Sequence, residues 1–91
     1  MVVFTYTDNT TKELRGDIKR LSVSDLVYNL EIITGTRYNA DKIKYKRVNE
    51  QIRFKDVRAR GAKQPKYAFD LKEILKDLKY KMRGTINEEY R

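Results

Sequence analysis

Residues 41–61 read Asp41-Lys-Ile-Lys-Tyr-Lys-Arg-Val-Asn-Glu50 and then Gln51-Ile-Arg-Phe-Lys-Asp-Val-Arg-Ala-Arg-Gly61. Ile43 and Tyr45 alternate with lysines in the first half, and Ile52 and Phe54 alternate with Arg53 and Lys55 in the second. A period of two predicts two strands, apolar on one side and charged on the other. Asn49-Glu50 is then the turn, so Tyr45 opposes Phe54, Lys46 opposes Arg53 and Lys44 opposes Lys55. The apolar phase slips between Phe54 and Val57, which predicts a bulge near Lys55-Asp56. Under this reading Tyr45 and Phe54 belong to the core, and the opposite face is cationic.

Elements on either side follow from similar signals. Val2 to Thr7 is β-branched and aromatic throughout, as expected of a strand inside a sheet. Asp8-Asn9-Thr10-Thr11 carries turn chemistry. A second strand is expected across Glu13 to Leu21, with Leu14 and Ile18 on one face and Gly16 at a bulge. Ser22-Val23-Ser24-Asp25 opens a helix with either serine as its cap. Its stripe is Val23, Leu26, Val27, Leu30 and Ile33, and Gly35 suits a left-handed end. Downstream, Gly61 to Lys66 is a loop holding the only Pro, and Lys66 to Phe69 is a short edge strand. Asp70 and Glu73 have the spacing of a capping box, with Phe69 and Ile74 as a hydrophobic staple. The second helix then carries Leu71, Ile74, Leu75, Leu78 and Met82 inward and stops at Gly84. Residues 85–91 hold little apolar content and are expected to form a flexible C-terminal tail.

The expected order is β-β-α-β-β-(β)-α, a single small α+β domain over residues 1–84. Its sheet is mixed or antiparallel, with both helices on one face. A chain of 91 residues suits one domain. The opening hairpin, the helix started by Val23-Ser24-Asp25-Leu26 and the strands after it resemble ubiquitin-type β-grasp domains over roughly residues 2–57. The capped C-terminal helix departs from that pattern.

The charge is not evenly spread. The chain has 21 Lys+Arg against 13 Asp+Glu, a formal net charge of +8. Residues 42–67 hold ten of those cations: Lys42, Lys44, Lys46, Arg47, Arg53, Lys55, Arg58, Arg60, Lys63 and Lys66. The same segment has only two acids, Glu50 and Asp56, while elsewhere the signs cancel. One segment therefore carries the whole excess, which bears on partners rather than on fold.

Missing residue types narrow the chemistry. Without Cys there is no disulfide, thiol nucleophile or thiolate metal site, and without His there is no imidazole base. Apolar runs are too short to span a membrane, and Met1-Val2-Val3-Phe4 lacks the basic start of a secretory signal. The cytoplasm is the expected location, with no membrane partner. Three Asp-x-Lys triplets begin at Asp17, Asp70 and Asp77, a pairing that some metal nucleases use. Two of them fall in the second helix, where residues i and i+2 diverge, and Asp17 with Lys19 is too short a match to carry an activity. The expected protein is not an enzyme and needs no cofactor.

Like charges facing each other across strands destabilise the pair. A hairpin stacking Lys44 on Lys55 and Lys46 on Arg53 therefore points to an external polyanion. The expected contact set is Lys42, Lys44, Lys46, Arg53, Lys55, Arg58, Arg60, Lys63 and Lys66. Tyr38 and Tyr67, presented by loops, are the expected base-stacking residues. Nucleic acid, DNA or RNA, contacted through its phosphates, is the expected partner. The alternative is a small regulatory or inhibitory module, of a kind that phages and viruses encode, docking on a protein or nucleoprotein complex with an acidic surface. Lys72, Lys76, Lys79 and Arg83 are tempered by Glu73 and Asp77 and read as a solvated helix face.

Overall fold

A computed structural model describes residues 1–88. The elements run β1 (Val3–Tyr6), β2 (Thr11–Glu13), α1 (Val23–Thr34), α2 (Ala40–Val48), β3 (Lys55–Asp56), β4 (Tyr67–Ala68), α3 (Leu71–Asp77) and β5 (Gly84–Asn87). They form two antiparallel sheets, ordered β2-β1-β5 and β3-β4. The α+β class is as expected, with three helices rather than two.

The β-branched and aromatic opening makes β1 the central strand, as its composition predicts. Val3 faces Glu13 on one side and Asn87 on the other, and Phe4 faces Lys12 and Ile86. Asp8 shapes the turn before β2 by accepting hydrogen bonds from the Thr10 amide at 3.0 Å and hydroxyl at 2.6 Å. Phe4 is buried, and Gly84 lies across from Tyr6 in β5. A Cβ on Gly84 would come within 2.5 Å of the Phe4 ring and would collide with the Thr5 carbonyl, so the close approach requires glycine.

Helix α1 follows its sequence signals closely. The Ser22 side chain accepts from the Asp25 amide, and Leu26, Leu30 and Ile33 are buried. Gly35 ends the helix at φ 74°, donating to the Glu31 carbonyl. The last four carbonyls of a helix normally lack partners. Here Glu31 accepts from the Gly35 amide, Ile32 from the Tyr6 hydroxyl and Ile33 from the Tyr80 hydroxyl, and one residue earlier Leu30 also accepts from the Thr34 hydroxyl. The two tyrosines come from opposite ends of the chain and fix α1 against the body.

The strand expected over residues 13–21 is instead a short β2 followed by an irregular segment. Asn29, fully buried on α1, accepts from the Arg15 amide at 2.7 Å and donates to the Arg15 carbonyl at 2.9 Å. Leu21 pairs with Phe69 in an isolated bridge, and the Leu71 amide donates to the Ile18 carbonyl. These single bonds satisfy the backbone without a ladder, while Leu14 and Ile18 still enter the core.

The largest correction concerns residues 41–61. Ala40–Val48 is a helix, not a strand. The Asn39 side chain accepts from the Lys42 amide, Asp41 lies in the first turn, and Lys46 and Arg47 lie in the last, complementing the helix dipole. Ile43 is its one buried residue. Asn49-Glu50 does reverse the chain, but as a helix end. The Gln51 amide reaches the Lys46 carbonyl and the Glu50 amide reaches the Arg47 carbonyl, a Schellman pair around Glu50 at φ 58°. Tyr45 and Phe54 consequently never face each other, and no bulged strand runs through Lys55-Asp56. The β-grasp resemblance ends after α1, because α2 stands where further strands were expected.

The hairpin that does form is β3–β4, pairing Lys55 with Ala68 and Asp56 with Tyr67. Asp70 caps α3 as expected, accepting from the Lys72 and Glu73 amides. The helix is shorter than its apolar stripe, however. It closes in a second Schellman pair around Lys79 at φ 56°, with the Tyr80 amide on the Leu75 carbonyl. Met82 is consequently 42% exposed rather than core. Residues 85–87, expected as part of a tail, belong to β5 and pair with β1. The tail reading for residues 89–91 lies outside the described residues. No helix among the described residues is long and apolar enough to cross a membrane.

Candidate nucleic-acid interface

The basic segment folds into α2, a connecting turn and the β3–β4 hairpin. Placing lysines on a helix redistributes them. On a strand, Lys42, Lys44 and Lys46 would share a face. On α2, Lys42 and Lys46 lie one turn apart on the same side, and Lys44 is rotated about 160° from Lys42. The single cationic face expected from the alternation is thereby split.

Arg47 joins the helix to the hairpin. Its guanidinium lies 3.8 Å from the centre of the Tyr67 ring and 5.7 Å from that of Phe54. Phe54 and Tyr67 meet edge to face at 5.3 Å. A cation over an aromatic face contributes about 0.5–1 kcal/mol where solvent reaches it. Tyr67, expected to stack on bases, thus already has one face covered. Tyr38 is half-buried and packs against the core.

Two of the expected phosphate contacts are engaged within the chain. Arg53 reaches Glu73 at 2.8 Å and Asp77 at 3.2 Å, and its own amide donates to Asp77 at 2.8 Å. This clamp ties the turn after α2 to α3. Hydrogen bonding to Asp77 raises the Arg53 guanidinium further above its ordinary value. Burial would raise the Asp77 carboxyl, but hydrogen bonds from the Arg53 side chain and amide outweigh it and hold Asp77 below the usual carboxylate range. Arg58 folds back on Asp56 at 2.7 Å, a hydrogen bond that lowers the Asp56 carboxyl and raises the Arg58 guanidinium.

Lys42, Lys44, Lys46, Arg47, Lys55, Arg60, Lys63 and Lys66 take part in no ion pair among the described residues. Arg60, Lys63 and Lys66 are exposed on the ten-residue loop between β3 and β4. The Val57 amide donates to the Lys66 carbonyl at the base of that loop, and Gly61 turns it at φ 83°. Asp17, the acid of the remaining nuclease-like triplet, accepts from the Lys19 amide in a turn, so the two side chains do not share a strand face. No group of three or more potential metal ligands occurs among the described residues.

Alternation alone places Tyr45 in the core and gives Arg47 no bridging role. Tyr45 is 64% exposed and lines a cleft of about 540 Å³ with Tyr38, Asn39, Asp41, Lys42 and Lys46. The overlooked signal was the cap: Asn39 before Asp41, with Lys46 and Arg47 following one to two turns later, marks a helix despite the local alternation. No protein-family model, curated protein or solved structure matches this chain.

Proposed function

We propose that this protein binds nucleic acid through its phosphates, without catalysis, using α2 and the β3–β4 hairpin as one surface. The fate of the clustered cations carries the reading. Of the ten, Arg53 and Arg58 are neutralised by this chain's own carboxylates, and eight are not paired among the described residues. Those eight lie on two elements that the Arg47–Tyr67 stack holds together. Unpaired like charge repels itself, and an external polyanion offsets that repulsion. In this reading Arg53 and Arg58 leave the contact set and Arg47 enters it. The absence of His and Cys supports binding rather than chemistry, and the cytoplasm is the compartment the reading implies.

The test is a salt titration of binding to duplex DNA, single-stranded DNA and RNA. Neutralising four to six phosphates should give log K a slope of about −3 to −5 against log[salt]. An affinity that hardly changes up to physiological salt, or no binding to any of the three, overturns the reading. Val48, 61% exposed on α2, would then be the first residue to test against an acidic protein partner.

A further inference from the structure

Most tyrosines in the described residues are engaged. The Tyr6 and Tyr80 hydroxyls bond to α1, the Tyr28 ring lies 3.8 Å under Arg15, Tyr67 lies under Arg47, and Tyr38 packs on the core. Tyr45 differs. It is 64% exposed, and neither its ring nor its hydroxyl has a partner among the described residues. It projects from the middle of α2, whose backbone is fixed by the Asn39 cap and by the buried Ile43.

The cleft beside Tyr45 is chemically polarised. Its volume of about 540 Å³ falls in the range of small-ligand sites. Half-buried Tyr38 provides a wall. Asp41 lies one turn before Tyr45, while Lys42 and Lys46 lie together on the other flank of the ring. A bare anion entering this cleft would meet the Asp41 carboxylate. A nucleotide fits both ends, with its phosphate toward the lysines and an amino group of its base toward the carboxylate, which accepts hydrogen bonds.

We propose that this cleft is a subsite for one unpaired nucleotide, its base stacked on Tyr45 and its phosphate held by Lys42 and Lys46. The inference rests on the phosphate-binding reading and adds a strand preference to it. A duplex base is already stacked on both faces, so an exposed tyrosine gains a base only from a single strand or a loop. Phosphate contacts by Arg60, Lys63 and Lys66 are indifferent to that distinction.

Two variants test the subsite, with a short oligo(dC) and a duplex of equal length as probes. Tyr45→Leu should weaken oligo(dC) binding by about tenfold and leave duplex binding within about twofold, since only an unpaired base loses its stacking partner. The chain has no Trp, so Tyr45→Trp adds a single reporter that keeps an aromatic platform. Its fluorescence should be quenched saturably by oligo(dC), whereas a Trp placed at Tyr28 should not respond. Unchanged oligo(dC) affinity in Tyr45→Leu, an equal loss for the duplex, or an unquenched Tyr45→Trp overturns the subsite. Salt-dependent binding that survives such a result keeps the phosphate surface, and no binding of either probe to the wild-type protein overturns both.

Discussion

Helices α1 and α2 are neighbours in sequence and in contact, and each opens on a polar cap, yet they are held in place differently. Helix α1 buries Leu26, Asn29, Leu30 and Ile33, and its final carbonyls are satisfied by residues from both ends of the chain. Helix α2 buries Ile43 alone and closes its last turn locally, with the Asn49 side chain on the Tyr45 carbonyl. Capping and one apolar anchor are enough to hold α2, because Arg47 adds a contact to Tyr67. The remaining positions of α2 are therefore free of packing demands, and that is where the unpaired Lys42, Lys44 and Lys46 lie.

The largest expected effect probes the two surfaces of this contrast. Leu30→Ala should lower stability by about 2–5 kcal/mol in urea unfolding, through lost burial and the cavity left behind. Tyr45→Leu should stay within about 0.5 kcal/mol, as for exposed positions generally. Similar losses at both sites would erase the distinction. The helix ends come next. Glu50→Gly should stabilise the protein by roughly 0.5–1 kcal/mol, because a left-handed backbone strains any residue with a Cβ. Gly35→Ala, at φ 74°, should destabilise it by a comparable amount, and thermal melts of both variants would show opposite signs.

The smallest effect belongs to Arg53, which lies in the basic segment but serves the body. Asp77 has a folded-state value below its unfolded one, so its contribution is present above about pH 4 and is lost as the pH falls through the folded value. In melts across acid pH, Arg53→Gln should flatten that part of the stability profile. Nucleic-acid affinity should change by less than about twofold. A large loss of affinity with an unchanged acid profile would return Arg53 to the interface.

Sequence signals were most legible where local chemistry and packing agree. Ser22 and Gly35 bracket α1, Asp70 starts α3, and Val3 to Tyr6 form the central strand. The reading failed where a short apolar pattern fits two periods. Ile43 and Tyr45 alternate like a strand, but only Ile43 is buried, and the second inward residue is Arg47, four positions on. The early end of α3 has no breaker in Leu78 to Arg83. It is imposed from outside, by the Tyr80 hydroxyl on α1 and by the pairing of β5 with β1. For the site, composition located the charge, while the neutralisation of Arg53 depended on Glu73 and Asp77, which only the fold brings near; Arg58 is paired by its sequence neighbour Asp56.

The pairing of β1 with β5 also sets an order of events. Synthesis proceeds from the first strand, but the central sheet is incomplete until residues 84–87 arrive to flank it. Joining segments about 80 residues apart carries a closure entropy on the order of 4 kcal/mol, growing only with the logarithm of the separation. The Tyr80 bond to α1 belongs to the same late step. The segment bearing the cations lies between the two strands, so it emerges before the sheet that carries it is closed. A nine-residue helix is marginal on its own, but α2 emerges after α1, the helix it contacts, whereas the sheet waits for its last strand.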